Sequence, residues 1–305
     1  MILYKYTRAD IAKTILEDCK IRFTQLTALN DPFESFPPVS ALFSDELFGN
    51  LLHTIIDNDY LLSRVIGGTI DNMYSQVPDE TRKLITQQQF ADFVLREVTK
   101  ELAKQNKPLR QFLHELGNAE KPRMIQTARS NMVTSVASEL AVLSLSAIAD
   151  NEVMWSHYAD VHRGIVLGLE SEDPFFSNAF AVKYQSQRPT VDMTKQATND
   201  SERKEAIQII CGIKNEAWAY EQEYRVVWPV RMLDPTDRID SLGFSIFVKP
   251  FSPSAVKMVV FGSQMKPDAQ QDISKLLIEP RFQHVKTFSG LLDTNTYRVT
   301  IVPVK

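Results

Sequence analysis

The chain has 305 residues, 44% hydrophobic and 24% charged, the make-up of a folded protein with a substantial core. Its 34 basic and 38 acidic residues leave a net charge of −4, which excludes a global electrostatic pull toward nucleic acid or an acidic membrane. Two cysteines, Cys19 and Cys211, lie far apart without CxxC spacing, so neither a disulfide framework nor a cysteine zinc site is expected.

Taken in chain order, MILYKYTRAD lacks the apolar run of a signal peptide. Nowhere do about 18 apolar residues run together, so a cytoplasmic chain without a membrane span is expected. ILYKY is β-prone; Thr7 and Asp10 then open a helix with the stripe Ile11, Ile15, Leu16 and Cys19, and IRFTQL returns as a strand. In LNDPFESFPP, Pro32, Pro37 and Pro38 impose a loop, and Asn30–Asp31 before Pro32 suits a turn at a pocket rim.

Residues 41–137 read as almost wholly helical. Phe90, Phe93, Val94, Val98 and Leu102 share one face, and Pro78, Pro108 and Pro122 divide the block into several helices. From residue 138 strands dominate: LAVLSLS, GIVLGLE and AFAVKYQ. A polar stretch, SQRPTVDMTKQATNDSER, reads as a structureless surface loop. KEAIQIICGIKNEAW returns to helix, followed by the strands EYRVVWPV, FSIFVKP, VKMVVFG and TYRVTIV. The expected architecture is a single α+β domain, 1–305, with a mostly antiparallel sheet built from 1–40 and 138–305 and a helical insertion at 41–137.

Two segments carry the chemistry-bearing residues. In EQEYRVVWPV, strand alternation sets Tyr224, Val226, Trp228 and Val230 on an apolar face and Glu221, Glu223 and Arg225 on the other. The plain reading of that second face is a solvated ion pair. In MWSHYADVHRG, Asp150 or Asn151 caps a short helix, Trp155 and Tyr158 form a core stripe, His157 faces elsewhere and Gly164 ends the helix. His157 and His162, five apart, do not share a helix face, so no metal site is expected there. Gly-rich phosphate loops, a GxSxG elbow and HExxH are absent.

LYKYT and LNDPFE near the N-terminus, the block LSLSAIADNEVMWSHYADVHRGIVLGLE, and Lys214, Trp218 and YEQEYR together resemble the bacterial family called domain of unknown function 2971, over roughly residues 1–36 and 140–265. The segment order is in turn similar to ADP-ribosyltransferases, including nucleic-acid-modifying toxins of the DarT type. What that resemblance implies is an enzyme of toxin or anti-phage type. It would transfer ADP-ribose from NAD to a nucleic acid or protein, and an antitoxin or other regulatory protein would accompany it. In that scheme Glu223, or else Glu221, is catalytic. Tyr4, Lys5 and Tyr6 come from a first strand lacking the usual His or Arg. Ser146 (or Ser144) and Tyr158 lie in the second segment, with Tyr158 against the nicotinamide ring. Trp155 belongs to the same helix, His157 binds a ribose hydroxyl, and Arg163 or Arg225 pairs with the pyrophosphate. Two other readings remain open at this point: a non-catalytic binding or regulatory module, and a metal-dependent hydrolase or nuclease built on the carboxylates.

Overall fold

A computed structural model of the chain describes residues 1–31, 33–34, 39–41, 45–104, 107–189, 191–192 and 199–304. It divides into two compact units: Met1–Ser40, Met132–Val191 and Lys195–Lys305 form the first, and Ala41–Asn131 with Asp192–Thr194 the second. Among the described residues no helix is long and apolar enough to cross a membrane.

The chain opens with β1 (Ile2–Thr7), α1 (Ala9–Asp18), β2 (Lys20–Gln25) and the short β3 (Val39–Ala41). Five helices follow: α2 (Asp45–Asp57), α3 (Asp59–Ser75), α4 (Asp79–Arg82), α5 (Gln87–Lys104) and α6 (Leu109–Ser138). Pro78 and Pro108 do fall just before helices, where a missing N–H costs nothing, but Pro122 lies inside α6 and does not end it. In α5, Leu102 is buried whereas Phe93 is half exposed, so the expected apolar face is only partly covered.

The rest of the chain supplies β4 (Leu140–Ser146), α7 (Glu152–Tyr158), β5 (Ile165–Glu170), β6 (Phe180–Ala181), β7 (Lys183–Gln185), β8 (Val191–Asp192), α8 (Asp200–Cys211), β9 (Ile213–Asn215), β10 (Glu223–Pro229), β11 (Asp234–Ile239), β12 (Ser245–Pro250), β13 (Val256–Phe261), α9 (Pro267–Leu277), β14 (Lys286–Leu292) and β15 (Val299–Pro303). Three expectations change here. The helix read into KEAIQIICGIKNEAW stops at Cys211, and Lys214 sits on β9 instead. A Cβ at Gly212 would lie 2.7 Å from both the Gln208 carbonyl and the Phe180 ring, so only glycine permits that close turn. In the polar stretch 186–203, β8 and the start of α8 are ordered elements, while residues 190 and 193–198 lie outside the described residues, as do Pro32, Pro37 and Pro38. AFAVKYQ is two short strands broken at Val182.

The sheet is α+β in character and mostly antiparallel. Its order is β11-β12-β2-β4-β1-β5-β13-β14-β15, with β10 beside β4 and β6 beside β10; β13 and β14 run parallel. Both faces are covered. Ile165, Leu167 and Leu169 of β5 join Leu3, Val259, Leu16 of α1 and Ile273 of α9 in one cluster, while Val166 and Val260 join Tyr6 and Trp155 of α7 in another. A strand buried on both faces is apolar at nearly every position, as IVLGL is.

One irregularity positions everything that follows. Along one edge β4 pairs with β10 over its full length, from Glu223 opposite Ser146 to Pro229 opposite Leu140. Its other edge is shared: β2 pairs at Val142 and Ala141, and β1 pairs at Ser146. Between them the strands part, and the Lys5 ammonium reaches into the gap and donates to the Ser144 carbonyl at 3.0 Å. A side chain there satisfies a backbone acceptor that a neighbouring strand would otherwise have met.

Candidate functional site: a buried ion cluster beside a split in the sheet

Glu223 and Arg225 are consecutive same-face residues of β10, as alternation requires, but that face is not solvated: they are 4% and 1% exposed. Glu221 is not on the strand. It ends a short 3-10 turn over Glu216–Glu221, and Gln222, in the left-handed region at φ 42°, swings the chain into β10. The two carboxylates still converge, because both reach Lys214 of β9, whose Nζ lies 2.6 Å from Glu221 Oε2 and 3.3 Å from Glu223 Oε2.

A third carboxylate comes from the N-terminal loop. Glu34 Oε2 accepts from Arg225 Nη2 at 2.7 Å, and Glu34 Oε1 lies 2.8 Å from Lys214 Nζ. The second contact is a charge contact outside hydrogen-bond geometry, since Glu34 Oε1 has no hydrogen-bond partner. Arg225 also binds Glu223 through Nε (2.7 Å) and Nη2 (3.0 Å), and spends Nη1 on the Cys211 carbonyl at 2.6 Å. Every member of this set of three carboxylates and two cations is nearly or fully buried. Such a cluster holds together only because each charge faces an opposite one; removing a single partner strands the others.

The titration directions follow from these contacts. Burial alone pushes Glu223 up, but the charges of Arg225 and Lys214 outweigh it and hold the carboxyl down at about 2. For Glu221 burial wins: its pKa is raised, with Lys214 and the Tyr158 hydroxyl only partly offsetting the desolvation. Burial opposes the charged forms of Lys214 and Arg225, yet the surrounding carboxylates raise both.

On one side the cluster opens on a cavity of about 110 Å³ at the split in the sheet, bordered by Tyr4, Lys5, Ser144, Met154, Tyr158 and Glu221 among others. Tyr158, the last residue of α7, donates to Glu221 Oε1 at 2.6 Å and receives a bond from the Asn30 amide at 3.2 Å. Burial raises the Tyr158 phenol, and its bond to Glu221 raises it further. Lys5 is pulled down to about 8, by burial first, with Glu223 opposing and Arg22 adding to the depression. The rim also meets a wider cleft of about 530 Å³, whose wall shares Asn30, Glu34 and Lys214 with the cavity.

The remaining predicted site residues sort clearly. Ser146 is buried, accepts the Ile148 N–H and donates to the Glu221 carbonyl at 2.6 Å, so it positions the backbone of Glu221. Tyr6 and Trp155 belong to the core: the Tyr6 phenol donates to the Ile148 carbonyl, and the Trp155 indole donates to Ala149 while packing edge-on against Tyr6 and flat on His162. Tyr6 still lines the cavity; Trp155 does not. His157 is exposed, 3.5 Å from the Tyr220 hydroxyl. Arg163 is exposed too and forks onto Asp160, in a different pocket with Arg8, Lys13 and Lys266. Neither touches the cavity: His157 lies on an exposed face of α7, and Arg163 follows the left-handed turn through Asp160, Val161 and His162 beyond the helix end. Asn151, not Asp150, caps α7. Gly164 is not the helix terminator but a contact point, since a Cβ there would sit 2.2 Å from the Thr7 carbonyl.

Sequence reasoning missed Glu34 and Lys214 as members of the cluster and Tyr184, whose hydroxyl accepts the Glu223 N–H at 2.7 Å. Among the described residues no group of three His, Cys, Asp or Glu side chains is arranged to hold a metal ion. The three carboxylates do converge, but on the Lys214 ammonium.

Residues 154–226 match the family described as Protein of unknown function (DUF2971), a span that takes in Tyr158, Lys214, Glu221, Glu223 and Arg225. No curated protein and no solved structure matches the chain significantly.

Proposed function

We propose that the protein is an ADP-ribosyltransferase-like enzyme that uses NAD, with Glu221 rather than Glu223 as its working carboxylate. The observation that carries this reading is the placement of Glu221: a carboxylate with a raised pKa, held by Tyr158 and Lys214, on the wall of a cavity where β1 and β2 part from β4. Glu223 borders the same cavity, but its carboxylate is bound by Arg225 through Nε and Nη2 and lies beside Lys214, which holds its pKa low.

Size is consistent with a dinucleotide lying across both spaces. The cavity of about 110 Å³ has room for one ring. The adjoining cleft of about 530 Å³ falls within the roughly 300–1,000 Å³ typical of small-molecule sites. When the nicotinamide–ribose bond breaks, nicotinamide leaves with the bonding pair and positive charge develops on the ribose. The Glu221 carboxylate stabilises that charge, and it accepts the proton of the attacking acceptor group. Lys214 and Tyr158 fix the carboxylate's orientation, and the aromatic side of the cavity, Tyr4 with Tyr158, receives the leaving ring. The acceptor, a nucleic acid or a protein, and an antitoxin-like regulator in a toxin or defence setting belong to the same proposal.

Incubating the protein with NAD labelled on the adenosine half and a cell extract tests it. Transfer of label to a macromolecule by the wild type, abolished in Glu221→Gln, is the expected result; no label above background sinks the reading. One observation favours a second reading, a non-catalytic module: the Arg225 guanidinium is bound to both Glu34 and Glu223, as in a structural cluster. In that case NAD produces no thermal stabilisation, whereas a ligand at a hundred times its Kd adds about 2.7 kcal/mol.

A further inference from the structure

The wider cleft is chemically unlike the cavity beside it. Four side-chain carboxamides line it, from Asn30, Gln185, Gln187 and Asn215, together with two aromatic rings, Phe33 and Trp218. Three isoleucines, Ile209, Ile210 and Ile213, add apolar wall. Phe33 is 66% exposed, an uncommon state for a large aromatic ring, and the Arg188 guanidinium lies over it at 5.7 Å. Trp218 is held against the cluster by the Lys214 ammonium, 4.6 Å from the ring centroid.

Carboxamides carry a donor and an acceptor side by side, which matches the paired donor and acceptor atoms on the edge of a nucleobase. Aromatic rings and guanidinium planes supply the flat surfaces on which bases stack. We propose that this cleft is a nucleobase slot, in which one base stacks on the Phe33–Arg188 or Trp218 surface while Gln187 and Asn215 bind its edge. The inference deepens the transferase reading and rests on it for what the base is attached to: the adenine end of the dinucleotide, or a base of the acceptor. The charge of the wall points to a single nucleotide and not a long strand. Among the described residues of the wall, Asp31 and Glu34 balance Arg188 and Lys214, leaving no basic track to follow a phosphate backbone, and the whole chain is at −4.

The test is a titration of the full chain, followed by tryptophan fluorescence and by calorimetry, with AMP, ADP-ribose and a ten-nucleotide single strand as separate probes. None of the three is turned over. Trp155 is sealed in the core and Trp228, under the Lys249 ammonium, does not line the cleft, so a change in emission reports chiefly on Trp218. Saturable quenching by AMP and ADP-ribose is expected, weakened about tenfold in Gln187→Ala and in Asn215→Asp. Asn215→Asp keeps the side-chain oxygen that caps the following turn while removing the amide donor. Trp218→Phe abolishes the optical signal but not the heat of binding, which guards against a variant that is merely silent. Stronger binding of the oligonucleotide than of AMP assigns the base to the acceptor; the reverse assigns it to the dinucleotide. Absence of both quenching and heat with all three probes overturns the slot. The two readings fail separately. Binding of AMP with no transfer of label removes the transferase and keeps the slot, whereas transfer of label without binding of any probe removes the slot and keeps the transferase.

Discussion

The two sides of the ion cluster share one lysine and behave oppositely. On the closed side, Arg225 binds both Glu223 and Glu34 and leaves Glu34 Oε1 in charge contact with Lys214 alone. On the open side, Glu221 shares that ammonium but turns its other oxygen to a phenol at the edge of a cavity. Two carboxylates two positions apart are thereby pushed in opposite directions, Glu223 far down and Glu221 up. The lesson is that net pairing, not burial, decides which of two buried acids remains available for proton chemistry.

The largest effect should come from breaking the closed side. Arg225→Leu leaves Glu223 and Glu34 short of a partner in a buried site, and chemical denaturation should show a loss of about 3–5 kcal/mol. A loss below 1 kcal/mol would show that the two sides are not distinct. Next comes Glu221→Gln, which should lower label transfer by about 10²–10⁴-fold. Its melting temperature should move less than that of Arg225→Leu, because the amide oxygen still accepts from Lys214 or Tyr158 and Lys214 keeps Glu34 and Glu223 as partners.

Tyr158→Phe sharpens the comparison further. The phenol's hydrogen bond lowers the Glu221 pKa, so deleting it lets desolvation act unopposed by that bond and raises the pKa again. The acid limb of a pH–activity profile should therefore shift to higher pH, and a limb that stays put would separate Tyr158 from Glu221. The smallest effect concerns Lys5. Its folded-state pKa, about 8, lies below the ordinary 10.5. Between those values the unfolded chain binds more protons, so stability should rise as pH goes from about 8 to 10.5. In Lys5→Met, thermal melts across that range should lose this rise.

Much of this was legible from residue order alone. Alternation placed Glu223 and Arg225 on one face of a strand and the Tyr224–Val230 set on the other, and the resemblance of three segments pointed at Tyr158, Lys214 and the YEQEYR stretch. Periodicity has no means of showing that Gln222 adopts a left-handed conformation, so strand alternation alone puts Glu221 on β10. Nor did it join Glu34 to Arg225, 191 positions apart. Whether a charged face is solvated or sealed depends on what covers it, and that information lies elsewhere in the chain. The same limit explains Trp155, whose conspicuous place in a mixed aromatic and polar stretch reflects core packing. Strands β11 and β14 and helix α9 went unread, the first because DPTDRI is polar and largely exposed, as an edge strand permits.

The seam between β1 and β2 has a consequence for how such a site diversifies. Where the main chain parts and a lone amine fills the opening, the depth of the recess is governed by side-chain length at position 5, not by strand geometry. A shorter residue there would enlarge the chamber while leaving the β1 and β2 ladders in register, so a single codon is enough to retune what the recess admits.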